Sequence, residues 1–113
     1  MHELGILSSM MNTIEDIMKD EALTHIEAVV LQVGEISGVV PRYLDECWPA
    51  AVYKSQFEDT KLELEVIPGI VRCNECGRVF NAVQFDLKCP DCKSENHFPL
   101  GGREFIIKEI RGY

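Results

Sequence analysis

Hydrophobic side chains recur every three or four positions over residues 4–19, with polar side chains between them. This spacing predicts an amphipathic helix. A second helix is expected to begin near Pro41, because a proline in the first turn loses no helical hydrogen bond. Pro49 falls inside this second segment and predicts a bend or two short helical pieces, because an interior proline removes a backbone hydrogen bond. The inward side of the second helix is expected to carry Leu44, Cys47, Trp48 and Ala51.

Three other segments have the pattern of β-strands. Residues 25–35 are rich in β-branched side chains, and residues 61–67 alternate between charged and apolar positions. Residues 103–110 also predict a strand. Because an isolated strand is unstable, the last segment is expected to return to the sheet of the first two. The inward positions expected in the second segment are Leu62, Leu64 and Val66.

Turn-forming dipeptides divide the chain. Pro68-Gly69 and Gly101-Gly102 bracket a segment that holds four of the five cysteines. We therefore expect an α+β domain from residues 1–68 and 101–113, with a small mixed sheet and two helices on one face. Residues 69–100 are expected to form a second domain, inserted between two strands of the first.

The paired cysteines in this insertion follow the pattern Cys73-x2-Cys76-x12-Cys89-x2-Cys92. Two residues within each pair allow a tight backbone knuckle that points both sulfur atoms at one metal ion. Four thiolates are typical of a closed, structural Zn²⁺ site. The pattern therefore predicts a Cys₄ zinc ribbon in residues 69–100.

Two disulfides or a redox-active dithiol are the alternatives to zinc. A redox dithiol needs only one C-x-x-C pair, near a βαβ unit that is not expected in this sequence. A catalytic zinc ion keeps an open position, which four thiolates do not leave. His97 is expected to be a partly exposed loop histidine, with zinc ligation or proton sensing as the alternative. Cys47 is expected to be a small buried hydrophobe.

The first three residues offer a different kind of metal site. The Met1 amine, the His2 backbone nitrogen and the His2 imidazole can chelate one ion through adjoining small rings. The Glu3 backbone nitrogen or its carboxylate can complete the ligand set. Nitrogen donors in a plane suit Ni(II) or Cu(II). The alternative is a chance histidine near a frayed terminus.

Composition limits the classes of partner. The chain has 113 residues and a formal net charge of −8, which opposes binding to nucleic-acid phosphates or to an anionic membrane. No apolar run is long enough to span a membrane, and no secretion signal is evident. A cytoplasmic protein that binds neither nucleic acid nor membrane is expected. No nucleophile elbow, phosphate loop or open-metal motif indicates an enzyme.

Several ordered features together resemble the HypA/HybF family of nickel-insertion accessory proteins for [NiFe]-hydrogenase. They are Met1-His2-Glu3, the turn from Val33 to Val39, the four paired cysteines, Gly102-Arg103-Glu104, and the segment from Ile107 to Ile110. These features cover nearly the whole chain in the family's order, and their combination is more specific than any one motif.

The resemblance implies that His2 binds nickel with the Met1 amine and Glu3, and that the four paired cysteines bind zinc. It also implies nickel delivery to a hydrogenase large-subunit precursor, together with a HypB-type GTPase. Some relatives serve urease, so urease maturation proteins are further candidate partners, and a homodimer stays open. The expected function is that of a nickel metallochaperone. The alternative is a zinc-ribbon module that binds protein or nucleic acid without delivering nickel.

Overall fold

The computed structural model describes residues 2–113, without the side chain of His2. The described chain consists of α1 (His2–Asp20), β1 (Ile26–Gly34), α2 (Pro41–Val52), β2 (Lys61–Ile67), β3 (Ile70–Cys73), β4 (Val79–Asn81), β5 (His97–Gly101) and β6 (Phe105–Gly112). Neither of its helices combines the length and hydrophobicity needed to cross a bilayer. The predicted α+β class is confirmed.

The first sheet has the strand order β2-β1-β6, so the three predicted strands do pair. At one end, His25 and Tyr113 exchange backbone hydrogen bonds. At the other end, the Gly34 N–H donates to the carbonyl oxygen of Glu104. Because residue numbers rise along β1 as they fall along β6, these two strands are antiparallel.

β1 and β2 run in the same direction. The Thr60 hydroxyl donates to the Ile26 carbonyl oxygen, and the Glu35 N–H donates to the Ile67 carbonyl oxygen. β1, α2 and β2 therefore form a βαβ unit, and the expectation that the chain lacks one is wrong. β2 lies at the sheet edge and is only partly buried, so its sequence alternates as an antiparallel strand would. The paired cysteines lie outside this unit.

The helices pack against each other, and each buries one side. The buried side of α1 consists of Glu3, Leu7, Met10, Ile14 and Met18, spaced three or four residues apart. β1 is buried on both faces, since Val29 and Leu31 alternate with the equally buried Ala28 and Val30. Central strands become continuously apolar for this reason.

Three details of the sequence expectation are wrong. Pro49 does not divide the second helix into two pieces, because it lies in the last turn, where its ring removes one N–H donor and little helix has to continue beyond it before the helix ends at Val52. A bend at this position stays a prediction. Val52 replaces Ala51 on the buried side. Val66 is 50% exposed, because β2 is an edge strand whose outer end is incompletely covered.

The chain divides into two compact units. One contains residues 1–31, 40–64 and 107–113, and the other contains residues 32–39 and 65–106. The second unit, called the ribbon unit below, holds all four paired cysteines and the three-stranded sheet β4-β3-β5. The predicted boundaries at residues 68 and 101 stay a prediction.

Three backbone segments pass very close to one another within the ribbon unit. A Cβ atom added at Gly34 would lie 1.9 Å from the Gly102 carbonyl oxygen, and one added at Gly102 would lie 2.5 Å from the Gly69 Cα. The Glu35 carboxylate accepts hydrogen bonds from the Gly69 N–H at 2.8 Å and the Asn81 Nδ2 at 3.1 Å. These contacts leave no room for a side chain at Gly34.

Gly34→Ala is therefore expected to abolish stable folding or to lower the unfolding free energy by well over the ~1 kcal/mol of an ordinary substitution. The added methyl group meets backbone atoms that cannot rotate away. Gly101→Ala is the matched control, because nothing lies within 4 Å of its added Cβ. Urea denaturation followed by circular dichroism measures both variants. Equal stability of the two variants would contradict the close backbone passage.

Candidate metal centre

The second sheet positions the first cysteine pair. β3 lies between β4 and β5 and pairs with both in antiparallel fashion. Cys73 is the last residue of β3, and Cys76 lies in the turn that leads to β4. Cys89 and Cys92 lie in a second turn, between β4 and β5. The four residues predicted as zinc ligands therefore meet at one end of this sheet.

Both pairs form the same kind of backbone knuckle. The Gly77 N–H donates to the Cys73 carbonyl oxygen at 2.9 Å, and the Lys93 N–H donates to the Cys89 carbonyl oxygen at 2.9 Å. Gly77 has φ of +81° and Lys93 has φ of +66°. The left-handed conformation of Gly77 follows the sequence pattern, whereas that of Lys93 was missed because lysine rarely adopts it. Gly77 and Lys93 each follow the second cysteine of a pair directly, and this equivalent position could have indicated the left-handed conformation of Lys93.

The sulfur atoms have the separations that a tetrahedral ion requires. All four Sγ atoms lie within 4.8 Å of one another, and the pairs Cys73–Cys92 and Cys76–Cys89 are each 3.5 Å apart. Four sulfurs at a Zn–S distance of about 2.3 Å lie about 3.8 Å apart in a regular tetrahedron. The donor set therefore fits Zn²⁺ with four thiolates.

The disulfide alternative does not agree with this geometry. All four cysteines are free, and their closest sulfur pairs are separated by 3.5 Å, far beyond an S–S bond of about 2.05 Å. Cys73 and Cys89 are buried, while Cys76 and Cys92 are exposed. One side of the cluster is thus enclosed by protein, and the other side is accessible to a metal ion or a chelator.

The thiols influence one another's ionisation. The Cys76 backbone N–H lowers the pKa of Cys73, and the Cys92 backbone N–H lowers the pKa of Cys89 to about 7. For Cys76, the Arg78 backbone N–H lowers the pKa, but the Cys89 thiol, burial and the remaining thiols together raise it to about 12. Thiols this close cannot all ionise unless a cation compensates their charge, so metal binding releases protons.

The ribbon unit has a small core. Its buried apolar cluster consists of Val71, Cys73, Phe80, Ala82 and Cys89, with Ile36 and Phe85 packed against it. Two of the five buried members are cysteines of the metal cluster. A core this small rarely stabilises a segment of this length by itself, so we expect metal binding to supply much of its stability.

His97 is the first residue of β5 and lies directly opposite Cys73. The expectation of a loop histidine is therefore wrong, although its partial exposure is confirmed. Its Nδ1 atom is buried and has no hydrogen-bond partner within the part of the chain that the structure describes. His97 is not a member of the four-ligand cluster.

The other predicted site lies at the start of α1. Met1 and the His2 side chain, which belong to the predicted nickel chelate, lie outside the described residues. The His2 backbone is helical, and Glu3 lies in the first turn with 5% of its surface exposed. The buried side chain of Glu3 was not foreseen, because a carboxylate near a chain end is usually exposed.

Comparisons with known proteins agree on one family. A family model described as hydrogenase/urease nickel incorporation, metallochaperone, hypA matches residues 1–112. The hydrogenase maturation factor HypA of Dechloromonas aromatica is 30% identical over 97% of both chains. That of Geobacter sulfurreducens is 33% identical over the same share of both chains.

Two solved structures have the same fold. The first is the solution structure of the Ni metallochaperone HypA from Helicobacter pylori, with a TM-score of 0.65 and 23% identity over 97% of this chain and 96% of that one. The second is a solution structure of HypA protein, with a TM-score of 0.65 and 25% identity over 100% of this chain and 97% of that one.

Removing the metal with a chelator is expected to unfold residues 70–100, because the remaining core is too small to hold them. Amide chemical shifts of that segment should collapse toward random-coil values. The signals of α1, which packs in the other unit, should persist and serve as the internal control. Unchanged shifts in residues 70–100 after chelation would refute a structural metal site.

Gly77→Ala is expected to weaken zinc binding about 5- to 30-fold, since a left-handed conformation costs a residue with a Cβ about 1–2 kcal/mol. No atom lies within 4 Å of the added Cβ, so the effect is purely conformational. Competition with a chromogenic chelator measures the affinity. Gly5→Ala in α1 also adds an uncrowded methyl group and should leave zinc affinity unchanged. Equal affinities of the two variants would count against the knuckle.

Proposed function

Because this chain belongs to the HypA family of hydrogenase/urease nickel-incorporation metallochaperones, we propose that it binds Ni(II) at its first residues and delivers it to a [NiFe]-hydrogenase. The observation that carries this proposal is the agreement between the family match over residues 1–112 and a four-thiolate cluster that is separate from those first residues. The protein would act as a carrier and not as an enzyme, since four thiolates leave zinc no open position for a substrate.

The proposed nickel ligands are the Met1 amine, the His2 backbone nitrogen, the His2 imidazole and a group from Glu3. Helical backbone begins at His2, and the first N–H groups of an α-helix have no acceptor within the helix. A metal ion can therefore replace the protons of these amides without breaking a helical hydrogen bond. The start of α1 supports a chelate of nitrogen donors on this ground.

Glu3 has two groups that could complete the ligand set, and its burial favours the backbone nitrogen. Its side chain lies on the same side of α1 as Leu7 and Met10 and is 5% exposed. A carboxylate buried on that side would have to leave its packing to bind a metal ion. We therefore assign the Glu3 amide as the fourth donor and leave its carboxylate to the packing of the helix.

The two proposed metal sites have opposite requirements. The four cysteines would hold Zn²⁺ permanently, because a closed thiolate site exchanges slowly and stabilises the ribbon unit. Nickel must instead be released. The partial positive charge at a helix N-terminus opposes a bound cation, and a terminal site has few neighbouring groups to hold its ligands rigidly. Both effects favour transfer.

The proposed route of delivery involves other maturation proteins. A HypB-type GTPase and the precursor of a hydrogenase large subunit are the partners we propose, in the cytoplasm. Urease maturation proteins are a second possible destination, since the family description includes urease.

His2→Ala is expected to abolish specific Ni(II) binding while zinc content and circular dichroism stay unchanged. Addition of residues before Met1 should have nearly the same effect, because it converts the terminal amine into an amide. Glu3→Ala is the discriminating variant, since it should keep the nickel stoichiometry if the backbone nitrogen is the ligand. Isothermal titration of tag-free, zinc-loaded protein with Ni²⁺ measures all three.

Unchanged nickel binding by the extended protein would overturn the terminal chelate. Loss of binding by Glu3→Ala with an intact fold would instead assign the carboxylate as a ligand. Gly5→Ala serves again as the control, because it alters α1 near the site without touching a proposed ligand.

A further inference from the structure

The sheet β4-β3-β5 has a face that its own core does not use. Arg72 lies directly opposite Val79 of β4 and Phe98 of β5 in the strand register. Directly opposite residues of antiparallel strands project from the same face. Ile70 lies two positions from Arg72 along β3 and shares that face. The β3–β5 register shifts between Ile70 and Val71, so that Ile70 pairs with Gly101, but Leu100 still lines the same cavity as Arg72 and Phe98. The set Ile70, Arg72, Val79, Phe98 and Leu100 is called the Arg72 face below.

The Arg72 face is unusually apolar for an exposed surface. Phe98 is 59% exposed, Val79 is 53% exposed and Leu100 is 52% exposed. The opposite face carries the buried Val71 and Phe80, so the sheet is already packed on that side. An antiparallel sheet packed on one face usually presents polar side chains on the other. Contiguous apolar groups that stay exposed mark an interaction site.

One cation lies in the middle of these apolar groups. Arg72 makes no ion pair and no side-chain hydrogen bond with any residue that the structure describes. By contrast, Arg78 of the same unit pairs with Asp91 at 2.7 Å. The chain has 19 acidic residues and only 11 basic ones, so carboxylates that could pair with Arg72 are plentiful. The lack of a partner therefore needs another explanation.

A cavity of about 390 Å³ lies beside this arginine. It is lined by Arg72, Cys73, Asn74, Gly77, Phe98 and Leu100. Gly77 contributes no side chain to this lining, while Phe98 and Leu100 contribute exposed apolar ones. A planar guanidinium beside exposed apolar side chains suits a carboxylate that has apolar neighbours, because it can bind the carboxylate through two parallel hydrogen bonds.

We propose that the Arg72 face docks a partner protein through a segment that presents a carboxylate between apolar side chains. The positive charge of Arg72 selects the carboxylate of the partner segment. The exposed Val79, Phe98 and Leu100 contact the apolar side chains that flank this carboxylate in the partner. This proposal does not depend on the nickel chelate, because it uses only residues of the ribbon unit. It assigns that unit a binding role in addition to holding zinc.

The test is a selection of phage-displayed random peptides on the zinc-loaded, full-length chain. The recovered peptides should be enriched in Asp or Glu flanked by apolar residues. Arg72→Glu should change this enrichment to Lys or Arg in the same apolar context. Arg103→Glu is the matched control, because Arg103 is exposed and lies outside the face, and it should keep the acidic preference.

A recovered acidic peptide should bind Arg72→Ala about tenfold more weakly or worse, as expected for the loss of a charge-assisted hydrogen bond. Phe98→Ser should also weaken binding without changing the net charge. Zinc content measured on each variant verifies the fold. Chemical-shift changes on peptide addition should centre on Arg72, Val79 and Phe98.

Three results would overturn the proposal. They are no enrichment on the unaltered chain, an enrichment without acidic residues, and a preference that Arg72→Glu leaves unchanged. A basic preference would overturn the proposal and point to a different surface, a groove of about 550 Å³ whose lining includes Glu35, Ile36, Asp86 and Leu87.

Discussion

The close passage of three backbone segments at Gly34, Gly69 and Gly102 is the constraint on which the strand arrangement depends. Where no Cβ can fit, the segments approach closely enough for direct backbone hydrogen bonds, including those from Gly34 to Glu104 and from Ile36 to Gly102. These bonds fix the pairing of β1 with the segment that enters β6. A shift of one residue would turn every side chain of a strand to the opposite face, so the fixed register also determines which residues are buried.

The small core of the ribbon unit is the second feature that bears on stability. Its apolar cluster has five buried members, two of them cysteines, so a metal ion replaces much of the core that a larger domain would have. The closely matched knuckles at Gly77 and Lys93 bring four sulfurs to the separations of a tetrahedral ion. If a bound metal holds this unit together as expected, its outer sheet face is not needed for folding and can carry exposed apolar residues. The four-cysteine cluster and the proposed docking surface are related in this way, because the first would stabilise the unit and the second uses a sheet face that the core does not need.

The two proposed metal sites differ in how readily they would release their metal, as a metal carrier requires. A closed set of four thiolates favours retention, while a chelate of terminal nitrogens at the start of a helix favours exchange. Binding a metal through backbone nitrogens at the start of α1 would break no helical hydrogen bond, because the first N–H groups of a helix have no acceptor within it. The side chain of Glu3 is buried. In the proposed chelate, its backbone nitrogen would bind the metal, so one residue would serve both packing and metal binding.

The sequence by itself determined both helices, the three strands of the first sheet and the four cysteines that come together, because these depend on local spacing. Residues 4–19 have helical periodicity, and two C-x-x-C pairs can meet at one ion whatever surrounds them. Only the tertiary structure decided the parallel pairing of β1 with β2, the exposure of Val66 and the burial of Glu3. Each of these depends on contacts between residues far apart in the chain. The Arg72 face also arises in this way, because strand register alone places Val79 and Phe98 on either side of one arginine.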